Sequence, residues 1–179
     1  GLFNELIPGV SGDVATVMAA TSGDGIHWTR TSERPQFGTS GSRLDDVIIM
    51  DYNSHSRVYT MTTRHYDMYA VARNLDNPVT GGFCPPYYPL DWRRMNKRRV
   101  WQAESSDFIH WTDPYLVLGA EDGLDDLDET FYGLCQYPVG NVTLGFQNIY
   151  HYVPNTMRVR LVYTRDGKNW HHLNKRQPF

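Results

Sequence analysis

Short runs of β-branched and aromatic residues, bounded by clusters of turn-forming residues, recur along the chain, and no helical stripe of convincing length interrupts them. In the middle these runs are DVIIMDY (46–52), RVYTMTTRH (57–65), RRVWQAES (98–105) and YLVLGA (115–120). The same order returns in ETFYGLCQYP (129–138), VTLGFQNIYHY (142–152), RVRLVYT (158–164) and a short tail from Asn169. NSHS and PVGN fall where hairpin turns belong, and GLFNEL and VATVMAA supply two candidate strands near the start. The pattern predicts an all-β chain.

A repeated phrase sets the period. SGDGIHW (22–28), SSDFIHW (105–111) and TRDGKNW (164–170) place aspartates at Asp24, Asp107 and Asp166, separated by 83 and 59 residues. The surplus has a home in RNLDNPVTGGFCPPYYPLDWRRMNK (73–97), a Pro-, Gly- and aromatic-rich stretch without strand alternation that reads as an inserted loop. Without it the period is roughly sixty residues, a length that suits a four-stranded propeller blade with generous loops. RPQF after Trp28 and RQPF after Trp170 keep the same register. The chain therefore reads as a single β-propeller-like domain of about two and a half blades with Asp-box-like turns. Its parts are a partial blade at 1–40, a blade at 41–120 carrying the insertion, and a blade at 121–179. Each phrase falls between the third and fourth strands of its unit, where Asp and Ser can bond backbone amides, Gly can take positive φ and Trp can close the hairpin. That is a structural task. An arc of blades leaves edges and faces exposed, so either a homo-oligomer or a missing partner chain is expected to complete the ring, or the chain is a fragment of a longer protein.

Composition narrows the chemistry. The formal net charge of -3 argues against a general nucleic-acid binder, and the basic run RRMNKRR (93–99) reads as a solvated loop. No apolar run of membrane-spanning length exists, so no membrane partner is expected; no secretory signal is visible, and the sequence leaves localisation open beyond a soluble chain. Cys84 and Cys135 read as free thiols, and the Asn141 sequon NVT is weak on its own. The histidines lack metal-ligand spacing and no nucleotide or nucleophile-elbow motif appears, so neither a metal nor another cofactor is expected.

The motifs AESSDFIHWTDP, DETFYGLCQYP, LGFQNIYHY and LVYTRDGKNWHHLNKRQPF, over roughly residues 20–179, resemble the uncharacterised glycosidase-like five-bladed propellers related to the invertase, levanase and arabinanase clan. The resemblance implies three carboxylates projecting from inner strands into a central channel and acting on glycosidic bonds. The clan's NDPN-type first-blade motif and its RDP and EC motifs are absent here.

Glycoside hydrolysis needs two carboxyl groups about 5 Å apart for retention or about 6.5–9.5 Å for inversion. The candidates that begin the first strand of each full unit are Asp45 and Asp46 in RLDDVIIMDY, and Asp128 and Glu129 in LDDLDETFYG; Asp51 is weaker. Arg64, His65, Tyr132, Tyr150 and His151 would surround a bound sugar, stacking on its C–H faces and bonding its hydroxyls. The competing reading makes the acids solvated or edge-protecting and the other five cross-strand packing. A carbohydrate ligand is expected, either hydrolysed or merely bound. The aromatic loop 83–92, with Tyr87, Tyr88 and Trp92, offers a second recognition surface.

Overall fold

A computed structural model describes residues 1–7, 14–31, 44–65, 98–119, 124–126, 128–173 and 176–179. The insertion 73–97, with Cys84 and the aromatic loop 83–92, lies outside the described residues. Eleven strands form three antiparallel sheets, and no α-helix occurs among the described residues. The first sheet holds β1 (Leu2–Ile7), β2 (Val14–Thr21) and β3 (Thr29–Arg30). The middle sheet runs β4 (Leu44–Asn53), β5 (Val58–His65), β6 (Arg99–Ser105) and β7 (Tyr115–Leu118). The last runs β8 (Glu129–Val139), β9 (Val142–His151), β10 (Thr156–Thr164) and β11 (His171–His172). The sheets stack face to face in series, as consecutive propeller blades do. The first has three strands because Thr29–Arg30 pairs with Ala20 and Thr21, a two-residue strand too short to leave a hydrophobic pattern.

Alternation decides which side chains meet. In the middle sheet Met61 and Ala103 pack with Val17 of the first sheet, while Val100 and Leu118, on the other face, join Phe131, Leu134, Ile149 and Val162 of the last. β9 alternates strictly, with Thr143, Gly145, Gln147, Ile149 and His151 buried toward the middle sheet. Polar pins cross the same interface: Thr62 Oγ1 donates to Leu134 O at 2.7 Å, and Gln136 Nε2 donates to Gln102 Oε1 at 2.6 Å. Gly133 lets the sheets approach closely there: a Cβ would lie 2.7 Å from Ile49 Cδ1 of β4 and would push that side-chain tip aside.

The repeated phrases form the same turn three times. Asp24, Asp107 and Asp166 each accept two backbone N–H bonds at 2.8–2.9 Å through Oδ1, while Oδ2 meets His27, His110 or Asn169 at 2.6–2.7 Å. Those bonds hold all three carboxyls well below the ordinary aspartate range. Gly25 and Gly167 take φ near +77° and +76°, and Phe108 adopts +66° at the matching place. The tryptophans differ by neighbourhood. Trp170 packs on the core over Gly145, where a Cβ would come within 2.6 Å of its ring, whereas Trp28 is 56% exposed.

Candidate functional site

Hairpin topology gathers the candidate residues at one end of the sheets. The repeated turns and the β4–β5 and β8–β9 hairpins occupy the opposite end. In register, Leu44 faces His65 and His65 faces Arg99, while Glu129 faces His151. Both inner strands are irregular here. β4 places Asp45, Asp46 and Val47 between the pairs Leu44–His65 and Ile48–Thr63, and β8 carries Tyr132 as an extra residue between Phe131–Ile149 and Gly133–Asn148. Such bulges re-aim side chains and often stand beside functional sites. The side chains of Asp45, Asp46 and His65 lie outside the described residues.

Tyr132 reaches across to the middle sheet. The Arg64 guanidinium carbon lies 3.8 Å from its ring centroid and that of Arg98 lies 4.9 Å away. Tyr150 packs against Tyr132 with ring centroids 5.3 Å apart, and Tyr152 against Tyr150 at 5.0 Å. Arg98 Nη1 donates to Tyr152 Oη at 2.7 Å. The basic run is therefore not wholly a solvated loop: its last residue, Arg99, is buried and opens the third strand of the middle sheet, with Arg98 just before it. The paired backbone of β6 holds it there.

The acids at the start of β8 divide into two groups. Glu129 is 2% exposed, with Oε1 bonded by Arg160 Nη2 at 2.5 Å and 3.3 Å from His151 Nε2, and Oε2 accepting from Asp126 N at 3.3 Å. Asp125, also buried, takes Arg160 Nη1 and Arg176 Nη1 on its two oxygens, each at 2.7 Å. Asp126 is exposed and Asp128 half-buried; Asp128 Oδ1 lies 3.4 Å from His151 Nδ1 and its Oδ2 accepts from Val153 N at 3.3 Å. Asp128 and Glu129 thus sit in one cluster with His151, and Glu129 is neither solvated nor at an exposed edge. Asp51 serves the sheet interface: its Oδ2 accepts from Gln136 N at 2.9 Å, and burial, opposed by that bond, pushes its carboxyl up.

The sequence did not single out Asp125, Asp126, Arg160 or Arg176. Arg160 stands in an ordinary alternating strand, and only pairing of Leu134 with Gln147 and of Gln147 with Arg160 puts it on the face of Glu129. LDDLDE offered a dense run of acids as the one visible signal.

Among known proteins, no family model and no curated protein matches this chain. Solved structures do match. An N-acetylgalactosamine deacetylase from F. plautii, in complex with blood group B trisaccharide, aligns with 98% of this chain and 52% of its own at 15% identity and a TM-score of 0.60. The GH32 β-fructofuranosidase of Bombyx mori aligns with 99% of this chain and 34% of its own at 13% identity and a TM-score of 0.58. A member of GH130, a family of mannoside phosphorylases containing glycoside hydrolases that target β-1,2 mannosidic linkages in Candida mannan, gives 99%, 46%, 14% and 0.54 in the same order. This chain spans about half the length of these proteins or less. The likeness is one of fold: an all-β, propeller-like architecture shared with glycoside hydrolases.

Proposed function

We propose that this chain is a glycoside hydrolase-like propeller, or part of one, that acts on or binds carbohydrate at the end where β4 and β8 begin. The observation that carries this reading is the paired irregularity of the two inner strands, which brings Asp45 and Asp46 on one strand and Asp128, Glu129 and Tyr132 on the next to the same end of neighbouring sheets. Tyr132 and Tyr150 would stack on sugar C–H faces; Arg64, His65 and His151 would bond hydroxyls. In the hydrolytic form of the proposal, Asp46 and Asp128 or Glu129 flank the scissile bond, one donating a proton to the leaving oxygen while the other assists attack at the anomeric carbon. That the neighbouring folds include carbohydrate-active proteins supports the substrate class.

One observation favours binding without turnover. Both Glu129 oxygens are already engaged, so it would have to leave Arg160 or the Asp126 amide to reach a sugar. Glycan-array binding followed by product analysis on each bound glycan separates the two forms. Hydrolysis abolished by Asp46→Asn supports catalysis; binding without product supports a binding module. Absence of binding to any glycan, or binding indifferent to Tyr132→Ala, overturns the site. Loss of binding on replacing Tyr87, Tyr88 and Trp92 would move it to the insertion.

The three units at 1–40, 41–120 and 121–179 are proposed as successive blades, with further blades supplied by a second copy, a partner chain or the remainder of a longer chain. Phe146, Met157 and Val159 line an open groove of 620 Å³ on the outer face of the last sheet, where another blade would pack. The solution mass tests assembly from separate chains: a strictly monomeric chain with no partner would overturn that form of the proposal.

A further inference from the structure

We propose that Asn141 is an acceptor for N-linked glycosylation. The triplet Asn141–Val142–Thr143 is the chain's one Asn-X-Ser/Thr sequon, and its middle residue is not proline. Gly140 and Asn141 are the two loop residues of the β8–β9 hairpin, closed by Val139 opposite Val142, and Gly140 takes φ near +56° there. Asn141 is exposed, and among the described residues nothing hydrogen-bonds its carboxamide. Other turn asparagines are engaged: Asn155 Oδ1 accepts from Tyr150 Oη at 2.6 Å, and Asn169 Nδ2 donates to Asp166 Oδ2 at 2.6 Å.

The surroundings leave room for a sugar. An open groove of 360 Å³ borders Asn141 and is lined by Asn53, His55, Ser56, Arg165 and Asp166, residue types that bond hydroxyls. Tyr137 and Val139, both exposed on β8 beside the turn, give a glycan apolar surface to cover. The hairpin stands at the end of the sheets opposite the starts of β4 and β8, so a glycan here leaves the proposed carbohydrate site open.

The folded state also sets the order of events. Thr143 is 5% exposed, and its Oγ1 accepts from Asn53 Nδ2 of the middle sheet at 3.2 Å. A sequon demands a hydroxyl at its third position, so transfer precedes docking of this hairpin on the middle sheet. In that step Asn141 Nδ2 bonds the anomeric carbon of a lipid-pyrophosphate-linked oligosaccharide. The bond from that carbon to the pyrophosphate oxygen breaks, the lipid pyrophosphate leaves, and one amide proton passes to solvent. The inference does not depend on the carbohydrate reading, and its test reads neither glycan binding nor turnover.

The test is cell-free translation of the full chain behind a cleavable secretion leader, in the presence of endoplasmic-reticulum microsomes. We expect the protease-protected chain to gain the mass of one glycan, removed by peptide N-glycosidase, which leaves a carboxylate at position 141 for peptide mapping. The gain should be lost in Asn141→Gln and in Thr143→Ala, and kept in Thr143→Ser. Protease protection reports entry into the microsome, so a variant that folds poorly still reveals whether it carries the glycan. Two results would overturn the proposal: a protected parent chain without the added mass, or an added mass that persists in Asn141→Gln.

Discussion

At one end of the sheets the aspartates are exposed and held by backbone amides; at the other, Asp125 and Glu129 are buried and held by guanidinium groups. The same functional group does different work. In the repeated turns, each carboxylate replaces the amide partners a tight turn lacks, and nearby water screens its charge. Before β8, removal from water must be offset by Arg160 and Arg176, and the cluster is stable only while every partner is present. Perturbed acids alone would have pointed to the turns; burial, bulges and convergence point to the other end.

Four predictions bear on this contrast, from the largest effect to the smallest. Arg160→Met leaves Asp125 and Glu129 short of a partner inside the protein, and chemical denaturation should show a loss of about 3–5 kcal/mol. A loss below about 1 kcal/mol would mean that the two ends do not differ in kind. Trp170→Ala, which empties the space over Gly145, should cost about 3 kcal/mol, whereas Trp28→Ala at its exposed counterpart should cost well under half as much. Equal losses would show that the turn itself, rather than the neighbouring sheet, sets the value of its tryptophan. Gly145→Ala should cost about 1–3 kcal/mol by overpacking against Leu134, Val162 and Trp170.

The smallest effect is read from pH. The folded-state values of Asp24, Asp107 and Asp166 are depressed, so their stabilisation is present above the unfolded value near about 4 and is lost as pH falls through the folded values. Asp166→Asn should therefore be less stable than the parent at pH 7, and the gap in denaturation midpoint should close in acid. A gap independent of pH would assign the effect to packing.

Much of the fold was legible because its signals are local. Alternation located the strands of both four-stranded sheets, and the thrice-written phrase located their last turns. The Asp–Ser–Trp composition of that phrase even disclosed its structural task, since each needed bond spans two or three residues. The candidate site was legible only in part. Asp128, Glu129 and His151 were named from strand starts and ends, but Arg160 and Arg176 lie 31 and 47 positions beyond Glu129 in the sequence. The meeting of Arg160 with Glu129 depends on register across three strands, which pattern alone does not supply, and Arg176 reaches Asp125 from the tail beyond β11.

The extra residue at Tyr132 also acts as a phase shifter. Beyond it, Leu134 and Gln136 bury their side chains on even numbers; before it, Glu129 and Phe131 do so on odd ones. β8 is therefore two alternating segments written in opposite phase and joined by one residue. Removing that residue would leave the core from Leu134 onward in place and turn Glu129 to the other face, away from Arg160. The first strand of the blade thus tolerates exchange of side chains here far better than a change of length, and its reading frame, as much as its chemistry, specifies the cluster.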